Sequence, residues 1–139
     1  MKAKVKWVED LTFLGESGSG HTVVMDGPKE LGGHDTGIRP MEMLLLGMGG
    51  CTSFDMIQML TKARQNIHDC VVEIESERSK DIPKVFTKIR VHYKISGKNI
   101  KESQVKRAIE LSTEKYCSAS IMLGETANIT HDYEIIDVE

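Results

Sequence analysis

The sequence predicts an α+β fold in which two main helices pack against antiparallel sheets. Three observations lead to this fold class. Near both ends and in the middle of the chain, apolar and polar residues alternate, which is typical of half-buried strands. Two other segments, one beginning at Pro40 and one near Asn99, repeat their apolar residues with the period of a helix. Strands grouped before, between and after only two helices are typical of an α+β domain.

The first forty residues predict an antiparallel meander followed by a loop. Short strands are expected at residues 5–8, 11–14 and 21–25, with a glycine-rich turn over residues 15–20. Residues 30–39 contain three glycines and no apolar periodicity. We therefore expect a mobile loop that leads into the first helix.

The first helix is predicted to begin at Pro40 and to run to about Asn66. Proline suits the first turn of a helix because its missing N–H needs no partner there, and the carboxylate of Glu42 suits the positive end of the helix dipole. The residues that follow helical spacing are Met41, Leu44, Leu45, Met48, Thr52, Met59, Leu60 and Ala63.

Two half-buried strands are predicted after this helix. In the first of them Cys70 shares a face with Val72 and Ile74, so we interpret it as a core residue. The alternate positions of this strand carry glutamates, whereas those of the second strand, over residues 85–95, carry lysine and arginine. Opposite charges are therefore expected to face one another on the outer side of the sheet.

A second helix and a final strand complete the predicted order. Asn99 and Glu102 resemble a capping pair at the start of the helix. Cys117 then lies at its C-terminal end, and alternation over residues 127–135 predicts the last strand. The residues expected on one face of the helix are Val105, Ile109, Ser112 and Tyr116.

Composition favours one ordinary domain that spans residues 1–139. Of the 139 residues 40% are hydrophobic and 28% charged, which fits a chain with a core and argues against disorder. A net charge of −3 with no long basic tract gives no support for a nucleic-acid partner. The first ten residues hold no apolar signal core and no long apolar run follows, so we expect a cytoplasmic protein without a membrane partner.

Cys51 and Cys117 stand in settings suited to redox chemistry, in which one thiol attacks and the other resolves the product. Three cysteines without a Cys-x-x-Cys motif, and five scattered histidines, predict neither a metal site nor a cofactor. Glycines at positions 47, 49 and 50 each cost the helix about 1 kcal/mol, so they indicate close backbone approach. The alternative is that Cys51 is a small core hydrophobe in a tightly packed helix.

The run Arg39-Pro-Met-Glu-Met-Leu-Leu-Leu-Gly-Met-Gly-Gly-Cys-Thr, with a second cysteine 66 residues beyond Cys51, resembles the OsmC/Ohr family. This family comprises osmotically inducible protein C and the organic hydroperoxide resistance proteins. The resemblance implies an OsmC-like fold, an intertwined homodimer, and a thiol-dependent peroxidase that reduces organic hydroperoxides in oxidative stress defence. The implied mechanism forms a sulfenic acid at Cys51, which Cys117 resolves to a disulfide, and a dithiol reductant, of lipoyl type in the family, restores both thiols.

Two further site residues follow from the resemblance. Glu42 matches a family glutamate, but no arginine precedes Arg39, whereas the family takes an arginine from its N-terminal sheet. We expect Arg39 to substitute, with Glu42 holding it through a charge-assisted hydrogen bond. The alternatives are a solvated loop arginine and an ordinary helix-start carboxylate. The missing arginine also favours a rival function, in which an OsmC-like protein without peroxidase activity binds an apolar small molecule in its dimer cleft.

Helix geometry constrains the position of Glu42. Nine residues separate Glu42 from Cys51, which on a continuous helix is roughly 13.5 Å of rise and about half a turn out of phase. Either the helix is broken near the glycines or a second subunit supplies Glu42.

Overall fold

The fold class predicted from the sequence is confirmed by a computed structural model that describes residues 1–138. The chain consists of strands and helices in a mixed α+β arrangement with two separate three-stranded sheets. It forms two compact units, Met1–Leu46 and the chain from Gly47 onward.

The first unit is built on the predicted antiparallel meander. Strands β1 (Ala3–Glu9), β2 (Thr12–Ser17) and β3 (Thr22–Met25) lie in sequence order and pair antiparallel. Strand β2 extends three residues beyond the predicted end, so the connecting turn is shorter than expected. A single 3₁₀ turn, Lys29–Leu31, follows the sheet.

The segment predicted to be a mobile loop is organised around one buried carboxylate. Asp26 is 1% exposed and accepts hydrogen bonds from the hydroxyl of Thr36 at 2.6 Å, the backbone N–H of Gly27 at 2.7 Å and that of His34 at 3.2 Å. The hydroxyl of Thr12 on β2 donates to the same carboxylate at 3.1 Å. The segment is a loop, as predicted, apart from one 3₁₀ turn, and side-chain hydrogen bonds rather than apolar periodicity organise it. Its mobility stays a prediction.

Helix α1 (Pro40–Lys62) is continuous through its three glycines, so the predicted possibility of a broken helix is wrong. A Cβ at Gly49 would lie 2.9 Å from Cδ1 of Ile74, whereas one at Gly47 or Gly50 would meet nothing within 4 Å. The expected close approach therefore exists at Gly49 alone. The helix ends four residues earlier than predicted, because Arg64 takes a positive φ of 57° and turns the chain into the next strand.

Four residues at every fourth position of α1, Met48, Thr52, Met56 and Leu60, are buried within the chain. By length and composition alone α1 is also apolar enough to cross a membrane, with a mean hydropathy of 1.3 over its most apolar 18 residues. Core helices of soluble proteins share this property. The expected absence of a membrane partner stays a prediction.

The second sheet is mixed, which corrects the expectation of purely antiparallel sheets. Strands β4 (Asn66–Arg78) and β5 (Phe86–Lys98) pair antiparallel, but β6 (Asn128–Asp137) pairs parallel to β5. The chain between β5 and β6 crosses over through helices and returns to the same end of the sheet, as parallel pairing requires.

The two faces of the second sheet differ as predicted. On the outer face Lys94 pairs with Glu73 at 2.7 Å and Arg90 with Glu75 at 3.4 Å, which confirms the expected charge pairing between β4 and β5. On the inner face β5 contributes five hydrophobic residues to the core. Its buried residues are Phe86, Ile89, Val91, Tyr93 and Ile95.

The second helical region differs from its prediction in three respects. Helix α2 (Glu102–Leu111) begins after Lys101 with no side-chain cap, and Asn99 instead takes a positive φ of 55°, so the predicted capping pair is wrong. A π-helical turn, Ser112–Tyr116, follows α2, and a third helix, α3 (Ser118–Leu123), was not predicted. Cys117 lies between the π turn and α3, and the residues of α2 and the π turn that are buried are Val105, Ala108, Ile109 and Ser112.

Candidate redox site

The structure brings the two candidate redox cysteines together, although they are far apart in sequence. The Cys117 thiol points at helix α1, where it lies 4.0 Å from the carbonyl oxygen of Met48, one turn before Cys51. The two thiols are close enough to interact, and neither is in a disulfide. Cys51 is half-buried, whereas Cys117 is 0% exposed. The pair therefore consists of one half-buried and one fully buried cysteine.

Cys117 is held by the first turn of the short helix that follows it. Its sulfur accepts a hydrogen bond from the hydroxyl of Ser120 at 3.0 Å and from the backbone N–H of the same residue at 3.3 Å. Burial raises the pKa of the Cys117 thiol, the two Ser120 donors offset part of that rise, and the neighbouring Cys51 raises the pKa further. Cys117 is therefore a protonated thiol near neutral pH.

A protonated Cys117 gives the site an internal hydrogen-bond donor. Its S–H is directed at the carbonyl of Met48, while its sulfur accepts the two hydrogen bonds from Ser120. The arrangement places a half-buried Cys51 near a buried, neutral thiol.

Glu42 and Arg39 make a local structure at the start of α1. The carboxylate of Glu42 accepts a hydrogen bond from the backbone N–H of Arg39 at 2.9 Å, which is the geometry of a helix cap. The Arg39 guanidinium lies 2.8 Å from a carboxylate oxygen of Asp35 and donates to the carbonyl of Gly37 at 3.2 Å. The prediction that the Glu42 carboxylate holds the guanidinium is therefore wrong, because the carboxylate binds the backbone instead. Roles for either residue at the cysteines stay predictions.

Sequence reasoning missed a buried chain of hydroxyl groups beside the cysteines. The Thr52 hydroxyl lies 2.8 Å from the Tyr93 hydroxyl and 2.9 Å from that of Ser112, and Ser112 donates to a carboxylate oxygen of Asp55 at 2.8 Å. The phenolic oxygen of Tyr93 also lies 3.4 Å from Nδ1 of His131. Thr52 and Ser112 both occupy helically spaced positions whose other predicted members are apolar. A hydroxyl residue on such a face is the one signal that could have indicated the chain.

The chain of hydroxyls reaches a cleft of about 410 Å³ between α2 and β6. His131 stacks on Tyr93 with ring centroids 6.0 Å apart, and its Nε2 atom is buried without a hydrogen-bond partner. Burial lowers the pKa of His131, so its imidazole is neutral near pH 7. The residues that line the cleft are Lys106, Ile109, Glu110, Thr113, Glu114, His131 and Tyr133.

One group of side chains has the spacing of a metal site. The ligand atoms of Glu9, Asp10 and His34 lie within 4.8 Å of one another, and all three residues are exposed. Nε2 of His34 is bonded to the Asp10 carboxylate at 2.8 Å, which accounts for the arrangement without an ion. The expected absence of a metal stays a prediction.

Comparison of the sequence with known proteins identifies its family. The sequence model described as "OsmC-like protein" matches residues 33–132. Protein YhfA of Escherichia coli strain K12 is 48% identical over 136 residues, which cover 98% of each chain.

Solved structures agree with this result. A hypothetical protein from Aquifex aeolicus VF5 has a TM-score of 0.87 at 28% identity, over 99% of this chain and 97% of that one. An organic hydroperoxide resistance protein, OsmC, from Legionella pneumophila has a TM-score of 0.70 at 16% identity, over 99% of this chain and 96% of that one, so the likeness is one of fold. The chain described here belongs to the OsmC-like protein family.

Proposed function

We propose that this protein is a thiol-dependent peroxidase that reduces organic hydroperoxides through Cys51 and Cys117. The observation that supports the proposal is the pairing of a half-buried Cys51 with a fully buried, protonated Cys117. A peroxidase of this kind needs an accessible nucleophile and an adjacent thiol that resolves its product. The Legionella protein of the same fold is named as an organic hydroperoxide resistance protein, which is consistent with this chemistry.

In the first step the Cys51 thiolate attacks the distal oxygen of the hydroperoxide. The O–O bond breaks, the alkoxide takes a proton and leaves as an alcohol, and Cys51 is oxidised to a sulfenic acid. In the second step the Cys117 sulfur displaces hydroxide from the sulfenic acid, and the Cys117 proton leaves with it as water.

Burial directs the reducing step to one sulfur. Cys117 is 0% exposed, so an external dithiol attacks Cys51 and expels Cys117 as the leaving thiolate. The two donors of Ser120 lie where that thiolate forms. A second attack, by the other thiol of the reductant on the mixed disulfide, releases Cys51 and completes the cycle. A lipoyl-type dithiol supplies both thiols in one molecule.

We also propose that the protein is a homodimer. Every residue of β1 is exposed, including Trp7 at 63%, and α1 exposes Phe54 at 74%. Apolar side chains exposed in such numbers are typical of a surface that a partner covers. Because α1 is continuous, a Glu42 that serves the cysteine pair would come from the second subunit. The other exposed apolar residues of these two elements are Val5, Val8, Leu44, Leu46 and Ile57.

A second candidate function is an OsmC-like protein that binds an apolar small molecule without peroxidase activity. The observation that favours it is the engagement of the Arg39 guanidinium by Asp35, since the N-terminal sheet offers no arginine that could replace it. A peroxidase usually has a cation close to its thiolate.

One experiment separates the two functions. Intact mass is measured after substoichiometric cumene hydroperoxide, and any disulfide is mapped by proteolysis. The peroxidase proposal requires a Cys51–Cys117 disulfide in the wild-type protein and a sulfenic acid at Cys51 in Cys117→Ser. Free Cys51 after prolonged exposure, or oxidation confined to Cys70, contradicts it and favours the binding protein.

A further inference from the structure

The direction of each hydrogen bond in the buried hydroxyl chain follows from donor counting. Ser112 donates its one hydroxyl proton to the Asp55 carboxylate, so the hydrogen bond between Thr52 and Ser112 must use the proton of Thr52. Thr52 then has no proton left for Tyr93, and Tyr93 must donate to Thr52. The order is therefore Tyr93 to Thr52 to Ser112 to Asp55. Each hydroxyl proton has one assigned acceptor, so the chain favours a single arrangement.

Three of these residues, Thr52, Ser112 and Asp55, connect the two cysteine segments, and we call them the hydroxyl clasp. Thr52 is the neighbour of Cys51 on α1, and Asp55 lies one turn further along the same helix. Their common partner Ser112 opens the π turn, and its carbonyl oxygen accepts the backbone N–H of Cys117 at 2.7 Å. One residue thus holds the helix of Cys51 with its side chain and the backbone of Cys117 with its carbonyl.

The location of the clasp argues for a role in cysteine geometry. Thr52 is 2% exposed and Ser112 is 0% exposed, and polar groups placed so deeply need every hydrogen bond satisfied. The bond from Cys117 to Ser112 spans five residues, which is the mark of a π turn, and such turns are frequent at functional sites. A disulfide forms only when the two Cβ atoms come within about 3.5–4.5 Å of each other at a narrow range of dihedral angles. Small shifts of α1 against the π turn would therefore change the rate of bond formation.

We infer that the hydroxyl clasp positions Cys51 and Cys117 for disulfide formation, with Thr52 and Ser112 as positioning residues. The inference rests on the proposed function and extends it to the resolving step. In that step the sulfenic acid of Cys51 and the thiol of Cys117 form the S–S bond and release one water. The clasp acts on the distance between the sulfurs and takes no part in the attack on the hydroperoxide.

The test compares two variants of Thr52 that differ in the hydroxyl group. Thr52→Val removes the hydroxyl at nearly constant volume, and Thr52→Ser keeps it. Ser53→Ala is the matched control, because the Ser53 hydroxyl donates to the carbonyl of Gly49 within α1. Sulfenic acid formation is followed with a dimedone probe in a Cys117→Ser background, and disulfide formation by intact mass in proteins that keep both cysteines.

Thr52→Val is expected to slow disulfide formation about tenfold, which corresponds to about 1.4 kcal/mol in the barrier, while sulfenic acid formation stays within about twofold of Ser53→Ala. Thr52→Ser should restore the rate of disulfide formation. Closure of the disulfide at the wild-type rate in Thr52→Val, or equal slowing of both steps, overturns the inference. If Thr52→Val fails to fold, as judged by circular dichroism, Ser112→Ala is measured by the same criteria.

A second measurement separates this inference from the proposed function. Diamide accepts the two electrons and two protons of the dithiol, so it closes the disulfide without a peroxide. Thr52→Val should slow this closure and shift the equilibrium with glutathione about tenfold toward the dithiol. If the wild-type protein ignores cumene hydroperoxide but diamide closure still depends on Thr52, the peroxidase proposal fails and the clasp stands. If diamide closure is independent of Thr52, the clasp fails whatever the peroxide does.

Discussion

Ser120 offers a direct test of how the buried cysteine leaves the disulfide. The proposed reducing step expels Cys117 as a thiolate inside the protein, where the hydroxyl of Ser120 donates to its sulfur at 3.0 Å. Ser120→Ala removes this donor and keeps the backbone N–H, which lies 3.3 Å from the same sulfur. The substitution therefore removes one hydrogen bond and leaves the helix start in place.

The size of the effect follows from the charge on the acceptor. A hydrogen bond to a charged group contributes about 1.5–3 kcal/mol, against about 0.5–1.5 kcal/mol for a neutral one, so the thiolate loses about 1–1.5 kcal/mol more than the thiol does. That difference raises the pKa of Cys117 further. A leaving thiol of higher pKa leaves more slowly. With roughly half of the charge developed in the transition state, the barrier rises by about 0.5–0.75 kcal/mol and the rate falls about two- to fourfold.

The assay is the pseudo-first-order reduction of the oxidised protein by dithiothreitol at pH 7, followed by the return of free thiols. Ser118→Ala is the matched control, since Ser118 lies in the same helix α3 and is exposed. We expect Ser120→Ala to be reduced about two- to fourfold more slowly than this control, and the mixed disulfide to be trapped at Cys51. Equal rates in the two variants, or a mixed disulfide at Cys117, would refute the reasoning.

Four further predictions concern stability and assembly. The hydroxyl of Thr36 and three backbone N–H groups hold the pKa of Asp26 well below its usual range. The stability that Asp26 contributes is therefore present above about pH 4 and is lost as the pH falls toward the folded-state pKa. The free energy of unfolding of Asp26→Asn, measured by chemical denaturation, should lack this loss. Glu134 and a second carboxylate raise the pKa of His92 above 6.5. The stability that His92 contributes is therefore complete below pH 6.5 and is lost as the pH rises through the folded-state pKa. The free energy of unfolding of His92→Gln should depend less on pH, and an unchanged dependence would contradict the assignment. Leu60 is 0% exposed, so Leu60→Ala should cost about 2–5 kcal/mol in urea unfolding, and a cost under about 1 kcal/mol would mean that the site is not packed as described. A dimer should melt at higher temperature as protein concentration rises, and light scattering that reports a stable monomer at micromolar concentration would exclude it.

Local patterns were good guides wherever the structure depends on neighbours in sequence. Alternation along β4 and β5 predicted that opposite charges face one another and that Cys70 shares a face with Val72 and Ile74, because a strand turns successive side chains to opposite sides. Cys70 was expected in the core, and the structure leaves it half-buried. The proline and the helical spacing at Pro40 predicted the start of α1 for the same kind of reason. The family followed from a short motif with a distant second cysteine.

Local patterns failed where two readings fit the same residues. Asn99 suits a helix cap, but it also tolerates the positive φ that it takes here. Residues 127–135 predicted a strand and could not predict that it lies parallel to β5, since direction depends on the path of the whole crossover. The segment after Asp26 looked unstructured because one buried carboxylate, and not a repeated pattern, orders it.

The sequence by itself determined the periodicities, the family motif and the two cysteines that are candidates for redox chemistry. Only the tertiary structure decided which cysteine is reachable, since exposure depends on all the segments that pack around a side chain. It alone also brought Thr52 to Ser112, 60 residues away, and the donors of Ser120 to the sulfur of Cys117. A hydrogen bond fixes the distance between two atoms to within a few tenths of an ångström. A sequence pattern indicates only the face of a helix or strand on which a residue lies. For that reason the chain could predict the candidate nucleophile and its partner, and could not predict the clasp that holds them.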